Sequence, residues 1–117
     1  MPTHNYKFGK HPESPKISSP VWREQYSQNM PDGCWLGCTM SCSHGVDGFR
    51  LRTGPYAGET VLVDGPEYET AGGSSNMGIY DPDFVLEMNF YCDTYGIDTI
   101  SYTTGMAFVM ELSLIHI

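Results

Sequence analysis

Cys34, Cys38 and Cys42 put three thiols inside nine residues, in a chain that has four cysteines. On one continuous α-helix, Cys34 and Cys42 would stand roughly 12 Å apart along the axis, at 1.5 Å per residue. No compact metal centre is gripped across that distance. A shared centre therefore requires coiled or broken chain, and Gly33 and Gly37 allow tight turning there. Three neighbouring thiols pair badly as disulfides and point instead to a metal or iron–sulfur site. Two chemistries satisfy the spacing. Thiolates are the standard iron–sulfur ligands, with the potential set by charge, burial and hydrogen bonds to sulfur. The loop's backbone N–H groups and the hydroxyls of Ser41 or Ser43 are candidate donors. Three Cys with His44 also make a tetrahedral zinc set.

The second concentration of chemistry is Asp93-x-x-Gly96-Ile97-Asp98, and the elements around it are legible. Asp81-Pro82 supplies an N-cap and an N1 proline. Behind it Phe84, Val85, Met88, Tyr91, Cys92 and Tyr95 form a single apolar helix face. Gly96 is placed to end that helix in left-handed geometry. A second helix is expected from about Asp98 or Ser101 to Leu112, with Asp98 as its cap. Such a corner turns terminal N–H and C=O groups toward a polar ligand, although it is also ordinary structure. Cys92 reads as a buried packing thiol, and Glu87 as a solvated helix residue.

Upstream, Phe49–Arg52 and Thr60–Val63 flank the turn Thr53–Glu59 as a hairpin. Residues 64–80 read as a Gly- and Ser-rich loop. Residues 1–30 are Pro-interrupted and read as an extended arm, with at most a short helix at Val21–Gln28 and with His4 and His11 at the surface. The expected class is mainly α with a small β-hairpin and long irregular loops.

The 117 residues suffice for one domain with a modest core. Fourteen acidic side chains against six basic ones give a net charge of −8, which argues against non-specific nucleic-acid binding and against anionic membranes. No apolar run approaches the roughly 20 residues of a membrane span. The N-terminus lacks the apolar core of a secretory signal, so the free thiols are expected in a reducing cytoplasm.

The Cys loop, Gly65-Pro66-Glu67-Tyr68-Glu69-Thr70 and Asp93–Asp98, in this order and spacing, resemble the tungsten-containing aldehyde:ferredoxin oxidoreductase family. Pro2-Thr3-His4-Asn5-Tyr6 is similar to that family's Pro-Thr-Arg-Asn-aromatic segment. Asp98–Ser101 and Ala107–Glu111 are similar to its next helix. Family members are several times longer, so the resemblance implies an internal fragment of the helical middle or C-terminal region. Trp35–Gly45 also looks like the tungsten subunit of ATP-independent benzoyl-CoA reductase, a relative that reduces an aromatic thioester. Three residues separate each pair of cysteines here, where the family's first gap holds two, as expected of a divergent branch.

The resemblance implies that Cys34, Cys38 and Cys42 ligate a 4Fe–4S cluster, with a fourth Cys from outside these residues. It implies that Asp93, Gly96, Ile97 and Asp98 hold a bis-molybdopterin carrying tungsten or molybdenum. It places Glu67 and Glu69 near that metal, where a carboxylate takes a proton as water or an aldehyde hydrate is activated. Ferredoxin or another low-potential carrier is the implied electron partner, and an aldehyde or aromatic acyl-CoA the implied substrate. An oligomeric parent is expected. A small zinc-binding structural module is the alternative from a different class. Residues 31–111 are then the cluster- and pterin-binding part. Residues 112–117, Leu-Ser-Leu-Ile-His-Ile, match one reading frame of a widely used transposase sequencing adapter and are expected to be a non-native tail.

Overall fold

A computed structural model describes residues 1–26 and 30–116. The described elements are α1 (Ser19–Gln25), β1 (Met30–Asp32), β2 (Ser43–Arg50), β3 (Thr60–Val63), α2 (Tyr68–Asn76), α3 (Pro82–Tyr95) and α4 (Thr99–His116). A 3₁₀ turn at Ser14–Ile17 precedes α1. The architecture is mainly helical, with one small antiparallel sheet of order β1-β2-β3. No helix among the described residues is long and apolar enough to cross a membrane.

α3 forms as its sequence dictates. The Asp81 carboxylate accepts the Asp83 N–H at 3.0 Å, Pro82 occupies the first turn, and Gly96 closes the helix at φ 67°. One face buries Val85 and Leu86 completely. They pack with Val46, Phe49, Leu51 and Val63 of the sheet region and with Ile17 and Trp22 from the N-terminal segment. Each such side chain, once withdrawn from water, stabilises the fold by about 1.5–3 kcal/mol. The expected hairpin is present, with Phe49 opposite Val61 and Arg50 opposite Thr60. A bulge between Val46 and Phe49 lets these two residues, an odd number apart, both face the core.

Three expectations change. Residues 1–26 do not run as an extended arm: Thr3, Ile17 and Trp22 are buried, because long-range apolar contacts outweigh the Pro-broken local pattern. The short helix is α1, and Gln28 of the expected span lies outside the described residues. Within the expected loop 64–80 lies α2, despite its Gly72-Gly73-Ser74-Ser75 core. Its reason is tertiary. A Cβ on Gly73 would lie 2.3 Å from the Thr103 hydroxyl, so α4 approaches only because Gly73 has none. The hairpin also gains a third strand, β1, pairing Asp32 with Ser43 and Met30 with Gly45.

Glu87 is not solvated. It is 6% exposed, and its Oε1 accepts from Arg52 N at 2.8 Å, Thr53 N at 2.7 Å and Thr53 Oγ1 at 3.1 Å. The Arg52 guanidinium lies 3.8 Å from Oε2 and also reaches Asp81 and Asp83. α4 covers α2 with Thr103 and Ala107, yet leaves Ile100, Phe108 and Val109 more than half exposed.

The Glu87 clasp is testable. In the full-length protein, Glu87→Ala is expected to cost about 1–3 kcal/mol, because it orphans partly buried donors. Glu87→Gln, which keeps Oε1, is expected to lose clearly less. Denaturant unfolding monitored by circular dichroism decides; equal losses for both variants would show that the three bonds to Oε1 are not what matters.

Candidate functional site

Residues 33–42 are the loop that joins β1 to β2, so all three thiols of the cluster of cysteines sit on one hairpin loop whose ends are fixed by the Asp32–Ser43 pairing. Cys34 and Cys42 are exposed and Cys38 half-buried. Their environments differ. Backbone N–H groups of Ser41, then Met40 and Cys34, hold the Cys38 thiol below its ordinary value. Glu67, followed by Cys38, pushes the Cys34 thiol up. Charge on an acceptor sulfur is stabilised by N–H donors and opposed by a neighbouring carboxylate.

The hydroxyls proposed as sulfur donors do other work. Ser41 Oγ donates to the Cys38 carbonyl at 3.4 Å. Ser43 Oγ donates to Gly65 O at 3.3 Å and to the Asp64 carboxylate at 3.4 Å. The second bond ties the loop's base to the segment that leads into Glu67. Gly65 makes that docking possible: a Cβ there would lie 2.1 Å from the His44 carbonyl oxygen. Asn89, 4% exposed on α3, donates to the Asp64 carbonyl at 3.1 Å and fixes the same segment from the other side.

A cleft of about 330 Å³ results, bordered by Cys34, Asp64, Glu67, Glu69, Asn89, Asp93, Ile97 and Asp98. Three separate stretches of the sequence thus meet on one wall. Glu67 is half-buried and Glu69 exposed. At the corner between α3 and α4, the Asp98 carboxylate accepts the Ser101 N–H at 2.8 Å. Bonds from Ser101 hold its pKa below the ordinary value, as expected of the predicted cap. Burial pushes Asp93 up. Cys92 is buried, as expected of a packing thiol. His44 is exposed. His11 is half-buried and stacks on Tyr80 at 4.5 Å, so of the two histidines expected at the surface in residues 1–26 only His4 is exposed.

Not every expected ligand faces this cleft. Cys42 and His44 border a larger one of about 790 Å³, with Arg23, Glu67 and Glu69. Among the described residues, no three His, Cys, Asp or Glu side chains are arranged to hold a single metal ion. A tetrahedral zinc site would bring its sulfurs into contact around one atom, whereas iron–sulfur ligands bind separate irons and stand further apart. The N–H cradle around Cys38 fits an anionic cluster ligand. The acceptor oxygens of Asp93 and Asp98 fit a heterocycle that presents N–H donors, as a pterin does.

Two participants are invisible in the sequence motifs. Loss of water contact, with the hydrogen bond and charge of Asp32, pushes Asp64 up to about 6. Nothing in a Val-Asp-Gly-Pro stretch announces an acid pair formed between the ends of β1 and β3, on either side of β2. Asn89 had a signal: it stands one turn before Asp93 on the same helix face.

A thiol-bearing hairpin loop and an acidic helix corner therefore share one helical scaffold and border one cleft. The family model described as aldehyde ferredoxin oxidoreductase, domains 2 and 3, matches residues 1–114, and the chain belongs to that family. It is 34% identical over 113 residues to the tungsten-containing aldehyde ferredoxin oxidoreductases of Pyrococcus furiosus and Pyrococcus horikoshii. Each match covers 95% of this chain and 17% of the relative, so the chain spans about one sixth of those proteins. An aliphatic sulfonate oxidoreductase, WOR-like subunit, of Pyrococcus furiosus is 28% identical over 114 residues, covering 83% of this chain and 18% of that protein. No solved structure matches.

The Asp64 environment yields a pH prediction. A carboxyl raised in the folded state favours folding most when protonated, below its ordinary value near 4. That contribution is lost as pH rises through about 6. In infrared titration of the full-length protein, a carboxyl band is expected to appear as pH falls through about 6 and to vanish in Asp64→Asn. A band unchanged in that variant overturns the assignment.

Proposed function

We propose that this chain is the cluster- and pterin-facing part of a tungsten–pterin, 4Fe–4S oxidoreductase that oxidises aldehydes and passes electrons singly to ferredoxin or a similar low-potential carrier. The observation that carries the reading is the convergence of Cys34, Glu67, Glu69, Asp93, Ile97 and Asp98 on one cleft. Residues 31–111 supply that cleft, and residues 112–117 are set aside as a non-native tail.

Bound there, the pterin-held metal would supply two-electron chemistry at the aldehyde carbon and the cluster one-electron transfer. The roles proposed for the chain's residues are those the family resemblance implies, and the cleft shared by Cys34, Glu67, Glu69, Asp93 and Asp98 supports them. Cys34, Cys38 and Cys42 hold three corners of the cluster, and the N–H donors at Cys38 favour the thiolate that such ligation needs. Asp93 and Asp98 accept N–H bonds from the pterin, while Gly96 and Ile97 shape the corner between α3 and α4. Conversion of an aldehyde and water to a carboxylic acid releases two electrons and two protons. Glu67 or Glu69 is placed to take a proton. Free thiols on an exposed loop suit a reducing cytoplasm, and the apolar outer face of α4 suits burial within a larger, oligomeric parent. The aromatic acyl-CoA alternative rests on the Trp35–Gly45 loop sequence alone, and substrate profiling of the full-length enzyme separates the two.

Two measurements test the reading. Cys34→Ser, Cys38→Ser and Cys42→Ser in the anaerobically purified full-length enzyme are each expected to lower iron and acid-labile sulfide together. Stoichiometric zinc without labile sulfide in the unmutated enzyme would point to the zinc module instead. Of Glu67→Gln and Glu69→Gln, the one that removes the proton acceptor is expected to lower kcat by about 10²–10⁴. Normal turnover in both variants removes the carboxylate from the mechanism.

A further inference from the structure

Glu67 and Glu69 stand between two clefts. They border the one assigned above to the pterin, and they also border the larger one of about 790 Å³. A carboxylate that takes a proton during aldehyde oxidation must meet the substrate as well as the group that carries the metal. With the pterin in the smaller cleft, the larger one is left for the substrate. Ligand clefts run from about 300 to 1,000 Å³, so this one has space for more of a substrate than its aldehyde group.

Arg23 supplies the chemistry for that further part. It lies in the last turn of α1 and borders the larger cleft with Ser19, Ser43 and His44. The helix is pinned on both sides of it. Trp22 is buried, and its indole N–H donates to Ile17 O at 3.1 Å. The Tyr26 hydroxyl donates to Asp83. Arg23 itself is exposed and makes no ion pair among the described residues. Residues 27–29, next along the chain, are Ser, Gln and Asn and bring no carboxylate. Lys7, Lys16 and Arg52, by contrast, are each paired with an acid. A guanidinium left open on a cleft wall offers forked N–H donors that match an oxyanion.

We propose that Arg23 binds the anionic end of the substrate, and that the parent enzyme prefers aldehydes carrying a carboxylate, phosphate or sulfonate to neutral ones. The inference rests on the proposed aldehyde oxidation. Arg23 holds the oxyanion, and repulsion from Glu67 and Glu69 keeps that end away from them. The aldehyde end is thereby turned toward the proton acceptor.

Two experiments on the anaerobically purified full-length holoenzyme test this. Calorimetric titration with succinate, inorganic phosphate and methanesulfonate reads the anion site without turnover, and the probe that binds identifies the oxyanion. Arg23→Gln is expected to weaken that binding about tenfold, the scale of one hydrogen bond to a charged group, and Arg23→Lys to weaken it less. No binding of any probe, or equal binding in Arg23→Gln, overturns the assignment. In turnover, succinic semialdehyde is compared with butanal, glyceraldehyde 3-phosphate with glyceraldehyde, and sulfoacetaldehyde with acetaldehyde. The anionic member of one pair is expected to have the higher kcat/KM, and Arg23→Gln to cut that preference about tenfold, through KM. No preference in the unmutated enzyme, or one that Arg23→Gln does not move, ends the substrate role. If no aldehyde at all is oxidised, the aldehyde reading fails instead, and the titration still decides whether Arg23 binds an anion.

Discussion

α3 is the constraint on which the rest of the structure hangs. Its apolar face, with Val85 and Leu86, anchors it in the core. Glu87 and Asn89 then use that fixed position to hold irregular chain. One clasps the backbone at Arg52 and Thr53, the other the carbonyl of Asp64. Side-chain to backbone bonds of this kind order loops that bury too little apolar surface to order themselves. A fold of modest core carries long irregular segments by that means. The cysteine loop follows at second hand, since Ser43 docks it on Asp64 and Gly65.

The cleft's electrostatics are one-sided. Asp64, Glu67, Glu69, Asp93 and Asp98 border it with Cys34, and no Lys or Arg does so among the described residues. Carboxylates and thiolates gathered this way repel one another, and Glu67, followed by Cys38, pushes the Cys34 thiol up. Binding a group that brings positive charge or N–H donors relieves that repulsion. The loop backbone acts in the opposite sense at Cys38, where N–H groups stabilise the thiolate. One short loop therefore presents sulfurs of unlike character.

How far the molecule was legible depended on the range of the forces involved. α3 was readable because its cap, its first-turn proline and its closing glycine are local devices, and so was the Asp98 cap of the helix after it. The hairpin of β2 and β3 announced itself by β-branched runs about a turn. α2 did not: Gly72, Gly73, Ser74 and Ser75 are poor helix formers, and only the packing of Thr103 against Gly73 makes them one. Ile17 and Trp22 lie in Pro-rich chain whose local pattern says nothing of the core they join. Glu87 looked solvated because no helical periodicity shows which backbone crosses it. At the site, motif residues from three stretches did converge. The buried bond of Asn89 and the pairing of Asp32 with Asp64 exist only after folding brings distant backbone together.

The outer face of α4 has a practical corollary. Ile100, Phe108 and Val109 stand largely in water although the opposite side of the same helix packs on α2. Apolar residues left in water on a helix that already packs on its other side suit a further covering layer, and the relatives are about six times as long. Separated from its surroundings, this piece would satisfy that face with copies of itself. Self-association of this chain in isolation would then report an uncovered apolar face, and would not by itself measure a native oligomer.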